Sequence, residues 1–475
     1  MSNENTIFAN PTKAFFVRML TRDIELSDAI LDLLDNCVDG IVRQQKKTKS
    51  SAKTSKTPYE GFWAKISAGP DGFEIWDNCG GIPEDIAKHS AFMMGRPDSE
   101  RDSDIETVGM YGIGMKRAIF KMGESCVVTS QPDSPQYEVQ ISPTWMQADD
   151  EWTLTLKRTG KTFKENGTKI VVQKLHPSVK RQFTSPKSTF LADLEKEIAQ
   201  HYAIILQKGL NVTLNGKKLK GVELSVLSPK SLGASKKAKI EPYLFIGDFH
   251  DVHVEVAVGF YRPLVKEQEL EESLLKSTRD HAGWTVVCNE RVVLYNDKSA
   301  QTGWGTRGVP SFHNQFISIA GIVTFRSNKS MQLPLTTTKR GLDSSSEVYH
   351  IVLDFMQDGM KKFTSFTNHW KKMEEQTEAA FDELIPQDPS DVLAGIDKSK
   401  LSPIRRHKDK GSGSVYLPDL PLPSKTERVP RICFNATQAE IDAVKYYYYG
   451  DQEVDRSDLG RACFDESLEL AKDAE

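Results

Sequence analysis

Residues 24–43 read IELSDAILDLLDNCVDGIVR. Ile30, Leu33, Leu34 and Val38 recur at helical spacing, so the stretch predicts an amphipathic helix with an apolar stripe turned to a core. Asp32, Asn36 and Asp39 fall at i, i+4 and i+7, which puts a carboxylate, an amide and a second carboxylate on one face. Such a row suits a metal and a water. Asparagine offers a neutral oxygen to a Mg2+ shared with phosphates, and a carboxylate one turn earlier can orient or deprotonate an attacking water. A solvated polar face is the competing reading of the same row.

Outward from this helix, QQKKTKSSAKTSKT (44–57) has no hydrophobic period and reads as an exposed loop. Next comes FEIWDNCGGIPEDI (73–86), where apolar residues lead into Asp77 and a turn at Gly80-Gly81. A buried carboxylate after a strand can accept a hydrogen bond from an exocyclic amine, and glycines let the backbone approach a flat ring. The polar stretch GRPDSERDSDIET (95–107) has the composition of a mobile lid. It runs into VGMYGIGMKRA (108–118), where Gly109, Gly112, Gly114 and Lys116 form G-x-x-G-x-G-x-K. Successive N–H groups in such a loop face phosphate oxygens, and a helix starting near Lys116 adds its positive dipole end. The spacing is not that of a P-loop.

These elements, in this order, resemble the GHKL ATPases, the superfamily of gyrase, heat-shock chaperone, histidine kinase and MutL. AILDLLDNCVDG is similar to the N-box helix, DNCGGIP to the adenine motif, GMYGIGMK to the lid glycine box, and Gly167-Thr168 in ENGTKIVV to the final motif. The resemblance implies ATP and Mg2+ as cofactors. It gives Asn36 to Mg2+, Asp77 to the adenine amine, Gly81 to the ring edge, Gly112, Gly114 and Lys116 to the phosphates, and Thr168 to the network around Asp77. Ile82, Gly109, Ile113 and Met115 are further cofactor-binding positions on the same motifs, and Asp32 stands at the general base. The usual base is glutamate, and aspartate reaches roughly 1.5 Å less far, so slow hydrolysis is expected. Cys79 replaces the first glycine of D-x-G-x-G, which requires a backbone there without positive φ.

The implied fold is α+β: a GHKL (Bergerat) ATP-binding α/β sandwich over 1–180 and a transducer domain of ribosomal-protein-S5-like type over 181–385. Strands are expected at 62–66, 73–76, 126–130, 137–141, 152–157 and 169–172, with a helix around 116–121. NVTLNGKKLKG (211–221), with an Asn215-Gly216 turn, reads as the restart of strands in a second unit that continues through 285–295 and 318–327 to a helix at 346–363. The second unit resembles the transducers of the MutL, gyrase and Microrchidia branches, where a loop lysine reaches the terminal phosphate. QLPLTTTKRGLD (332–343) offers Lys339 for that catalytic role, with Arg326 and Lys329 as rivals. The resemblance further implies closure of the lid, docking of the transducer and a homodimer.

Prolines 386, 389, 403, 418, 421, 423 and 430, GSGS at 411–414 and the basic group Arg405, Arg406, Lys408 and Lys410 read as a linker over 386–429. The tail, 430–475, reads as strand, helix, helix. Thr437 and Glu440 form a capping box, and a second helix spans 457–471. This order resembles a ribbon–helix–helix fold, in which Arg431, Cys433 and Asn435 would face base edges while Ile432 and Phe434 pack inward. Asp455 and Asp458 oppose phosphate there, and a helical dimerisation tail is the alternative.

Composition excludes little of this. The 475 residues are 38% hydrophobic and 27% charged with net charge -4, so any DNA contact must come from local patches. The six cysteines form no C-x-x-C pair, which predicts free thiols, and no apolar run or leader is evident. The expectation is a cytoplasmic, ATP-driven clamp or switch acting on DNA or with a partner effector protein, in genome maintenance or antiviral defence, without membrane contact. The alternatives are a chaperone-like ATPase acting on proteins and a poorly hydrolysing ATP-binding scaffold.

Overall fold

A computed structural model describes residues 12–47, 55–93, 95, 105–109, 112–133, 135–148, 151–160, 163–230, 232, 239–265, 281–336, 339–370, 380–404, 406–407, 410–423, 435–450 and 454–473. After a short helix α1 (Lys13–Arg22), the helix read first from the sequence is α2 (Leu26–Lys47). It continues through Gln44–Lys47, which the sequence reading had placed in a loop. Its apolar stripe is buried at Ile30, Leu34, Val38 and Ile41, and so is its acidic row: Asp32, Asp35 and Asp39 are 4%, 1% and 2% exposed. Carboxylates are almost never this buried unless paired, so the solvated-face reading fails.

The first sheet has eight strands in the order β5-β4-β3-β6-β2-β1-β7-β8. They are β1 (Trp63–Gly69), β2 (Gly72–Asp77), β3 (Gly123–Gln131), β4 (Tyr137–Ile141), β5 (Leu156–Arg158), β6 (Gly167–Leu175), β7 (Asn211–Leu214) and β8 (Lys217–Lys218). All neighbours are antiparallel except β1 and β7, which run parallel with Ile66 opposite Leu214. Alternation decides which face is core. Ala64, Ile66, Phe73, Ile75, Val128 and Val172 point to one side, where helices cover them. These helices include α2, α4 (Gly114–Met122), α6 (Pro177–Thr184) and α7 (Phe190–His201), with the short α3 (Glu84–Ile86) and α5 (Pro143–Gln147) flanking them.

β7 corrects the sequence reading. The Asn215-Gly216 turn is present, with φ of 47° and 80°, but its strands extend the first sheet instead of starting a second unit. Val212, Leu214 and Leu219 belong to the first core, so that core extends well past residue 180. A short alternating strand does not encode which sheet it joins.

The second sheet runs β13-β12-β14-β11-β10-β17-β16. Its strands are β10 (Tyr243–Phe249), β11 (Val252–Phe260), β12 (Gly283–Cys288), β13 (Arg291–Asp297), β14 (Ile319–Arg326), β16 (Ser402–Pro403) and β17 (Gly411–Tyr416); β9 (Val226–Ser228) and β15 (Ile385–Gln387) pair separately. The long helix α8 (Glu347–Trp370) buries Val348, Val352, Phe355, Met356 and Phe363, with Phe355 stacked 4.1 Å from Phe245. Its spacing is the helical stripe expected from the sequence, extended by two turns.

The stretch read as a linker is largely structured. GSGS lies in β17, antiparallel to β10 with Phe249 opposite Gly411. A Cβ on Gly411 would sit 2.2 Å from the Asp248 carbonyl oxygen. The glycines therefore mark a close approach of two backbones, which composition cannot distinguish from flexibility. Arg405 and Lys408 of the basic group lie outside the described residues.

Two positive-φ residues, Asn289 and Glu290, turn β12 into β13 and plug the second sheet into the first. Asn289 Nδ2 donates to the carbonyls of Thr107 (2.9 Å) and Ser327 (3.0 Å). Glu290 accepts from the Tyr59 hydroxyl (2.7 Å) and Lys208 (2.6 Å).

The tail forms its own unit, 424–475. Thr437 and Glu440 close the capping box at the head of a helix Gln438–Tyr449, and a second helix follows at Arg456–Asp473. Tyr448 hydrogen-bonds Glu466 across the pair. The expected strand, with Arg431, Ile432, Cys433 and Phe434, lies outside the described residues. Cys37, Cys79, Cys126, Cys288 and Cys463 are free thiols. Among the described residues, no helix is long and apolar enough to cross a membrane.

Candidate functional site

A cavity of about 670 Å³ opens between α2, the turn after β2, the head of α4 and the loop that follows β14. Asp32, Asn36, Asp77, Gly81, Ile82, Gly109, Gly112, Ile113, Gly114, Met115, Lys116, Thr168 and Lys339 all line it. Every site residue inferred from the sequence is thus brought to one wall or another. The rivals to Lys339 are not: Arg326 pairs with Glu255 (3.6 Å) and Lys329 with Asp251 (2.7 Å) at a second cavity.

At one end, Asp77 terminates β2 with its carboxylate buried. Oδ1 accepts from the backbone N–H of Cys79 (2.8 Å) and of Thr168 (3.4 Å), and Oδ2 accepts from the Cys37 thiol (3.6 Å). Burial pushes the carboxyl up to about 6, against the pull of these donors. Cys79 has no positive φ, whereas Gly80 and Gly81 stand at 100° and 71°, so the departure from D-x-G-x-G falls where a side chain is tolerated. Gly81 allows no such freedom: a Cβ there would meet the Gln131 carbonyl oxygen at 2.5 Å. Ile82 N–H donates to Ser130 Oγ (2.7 Å), which lies 3.3 Å from Thr168 Oγ1.

At the other end, the N-terminus of α4 opens on the cavity at Gly114, where unpaired N–H groups and the helix dipole favour an anion. Lys116 Nζ bonds the carbonyls of Ala91 (2.9 Å) and Gly112, and burial lowers its pKa to about 8. Asp39 accepts from the N–H groups of Val108 and Gly109, both at 2.8 Å, and so fixes the entry to the glycine loop. Asn36 is the exposed member of the α2 row and lines the cavity. Among the described residues no cluster of three or more His, Cys, Asp or Glu could hold a metal. Asn36 offers one neutral amide oxygen at the cavity wall, which would suit a Mg2+ that takes the rest of its shell from phosphates and retained water.

Beside the head of α4, where a Cβ on Gly114 would meet Asp32 at 3.3 Å, lies a buried charge network. Asp32 pairs with Arg117 (2.5 Å) and Lys339 (3.4 Å), and Lys339 lies closer to Asp35 (2.7 Å). Asp35 also pairs with Arg291 (3.0 Å) and accepts from the Tyr202 hydroxyl (2.5 Å). Burial pushes Asp35 up, but Lys339 and Arg291 outweigh it and hold the carboxyl at about 2. Sequence reasoning missed Asp35, Arg117, Tyr202 and Arg291. Asp35 and Arg117 carried a signal, since Asp35 follows Asp32 at i+3 and Arg117 directly follows Lys116 in the glycine-loop motif; Tyr202 and Arg291 sit on distant segments.

No curated protein matches the chain. Residues 24–170, which supply α2, the Asp77 turn, the glycine loop and Thr168, match the family model described as Histidine kinase-, DNA gyrase B-, and HSP90-like ATPase, and this match supports the GHKL superfamily for that part of the chain.

Proposed function

We propose that the chain binds ATP with Mg2+ in this cavity, hydrolyses it slowly, and works as a dimeric clamp or switch on DNA or with a partner effector. The observation that carries the reading is the convergence of Asp77, the glycine loop, the α2 row and Lys339 from the second sheet on one cavity. Asp77 would take the adenine amine, Gly81 the ring edge, and Gly112, Gly114 and Lys116 the phosphates. Asn36 would hold Mg2+, which when bound neutralises charge developing on the terminal phosphate. Asp32 orients or deprotonates the attacking water. Its ion pairs with Arg117 and Lys339 occupy the lone pairs a base needs, which supports slow turnover. Lys339, reaching in from a different sheet, supports a transducer of the MutL or Microrchidia type, since only ATP supplies the charge that would engage it.

The tail would add a second dimer contact, because Tyr446 and Tyr447 of its first helix are 70% and 73% exposed. The competing reading is a chaperone-like ATPase.

Asp32→Ala should bind ATP without turnover and accumulate as a closed dimer, and duplex DNA binding should strengthen with ATP and weaken with salt. Turnover equal to wild type removes Asp32 from the base position. Binding of unfolded protein with no DNA affinity favours the chaperone.

A further inference from the structure

We infer that Asp35 is the positioning residue that seats Lys339 at the phosphate end of the cavity, with Arg291 and Tyr202 locking its carboxylate in the required orientation. This rests on the ATP reading above.

Asp35 acts through Lys339. It does not line the cavity, whereas Lys339 does, and both are buried. The two carboxylate oxygens are divided between partners. Oδ1 accepts from Arg291 Nε (3.0 Å) and from the Tyr202 hydroxyl (2.5 Å), whose one hydrogen is shared with the Leu31 carbonyl (2.7 Å), which leaves Oδ2 to Lys339 Nζ at 2.7 Å. Arg291 is itself fixed, donating to the Val292 carbonyl (2.6 Å) and lying 4.5 Å over the Tyr202 ring. A carboxylate with two donors on one oxygen cannot rotate without breaking both, so the position of Oδ2 is set together by the second sheet and by Tyr202, which caps α7.

Lys339 needs such a seat. Its backbone stands at φ 56°, a conformation a non-glycine residue adopts only when its surroundings over-determine it. The loop supplies part of that constraint through Lys339 N–H to the Thr336 carbonyl (3.0 Å) and the bridge between Leu335 and Leu342. The side chain is a flexible four-carbon stem whose ordering opposes binding. Asp32 also lies within ion-pair distance, but it is farther, at 3.4 Å, and is already paired with Arg117. Three cations, Arg117, Lys339 and Arg291, share the carboxylates Asp32 and Asp35, so an arriving terminal phosphate meets a cation that is already placed.

The test is a double-mutant cycle read as the ratio of ATP to ADP affinity by calorimetry. Wild type should prefer ATP by about tenfold, the scale of one charge-assisted hydrogen bond. Lys339→Met and Asp35→Asn should each bring the ratio to about twofold or below, and the double variant should go no further. A residue that merely stabilises the fold would weaken both nucleotides in parallel, leave the ratio intact and add to Lys339→Met; that result overturns the inference. Should Asp35→Asn not fold, Tyr202→Phe removes one donor on Oδ1 and keeps every charge. It should lower the ratio by about threefold in wild type and not at all beside Lys339→Met, and an unchanged ratio is again refuting. Failure of wild type to bind either nucleotide sinks the ATP reading itself, whereas wild type that binds both equally removes the role of Lys339 and with it that of Asp35.

Discussion

Replacing Asp77 by asparagine should make the protein more stable and weaken its hold on ATP. The carboxyl titrates at about 6 in the fold, against 3.8 for the free side chain. A difference of that size corresponds to roughly 3 kcal/mol between its protonation states. Because the folded value lies above the unfolded one, the stability linked to the proton is complete below pH 3.8 and is lost as the pH rises through about 6. Asparagine keeps an oxygen for the N–H groups of Cys79 and Thr168 and gives up the thiol bond to Cys37. A net gain of about 1–3 kcal/mol is expected at pH 8, falling to roughly half by pH 5 and vanishing only below the unfolded value of 3.8. The amide would turn a donor where the adenine amine needs an acceptor, at a cost of about tenfold to a hundredfold in affinity. Urea unfolding at pH 5 and 8 with ATP titration of the folded variant measures both. Equal destabilisation at the two pH values, or unaltered ATP binding, refutes the reasoning.

Gly411→Val should detach the edge of the second sheet, since its Cβ meets the Asp248 carbonyl at 2.2 Å. A loss of about 1–3 kcal/mol in thermal unfolding is expected, with Gly395→Ala, whose Cβ meets nothing within 4 Å, as control; equal melting temperatures would return 411–414 to a linker. His253, held up at about 8 by hydrogen bonds to Glu255 and Asp248, contributes stability that is full below pH 6.5 and is lost as the pH rises through 8. Unfolding midpoints of wild type and His253→Gln should therefore converge between pH 6.5 and 9, and a constant gap would contradict the pairing.

What the sequence made legible was local. The α2 stripe, the Asp77 turn, the glycine loop and the capping box at Thr437 are each set by residues within a few turns of one another, where periodicity and backbone preferences act directly. Lys339 came from its loop and a family pattern. The network around it was not legible: Arg291 meets Asp35 across 256 positions and Tyr202 across 167, and no spacing rule links segments so far apart. The strand at 211–214 and the glycine strand at 411–416 failed for a related reason. Each has a local signature compatible with two destinations, and partner strands decide between them.

The plug formed by Asn289 and Glu290 bears on how this chain can be divided. A fragment ending after the first sheet would retain Asp32 and Asp35 but lose Lys339 and Arg291, leaving carboxylates buried beside Arg117 alone. It would also lose the amide that holds Thr107 below the glycine loop. Breaking a buried pair from one side costs about 3–5 kcal/mol, a large part of the whole stability of an ordinary domain. The two sheets are therefore one inheritable unit. Shuffling the nucleotide-binding half onto another partner would require a replacement for each of these cations, so the two halves should be exchanged together.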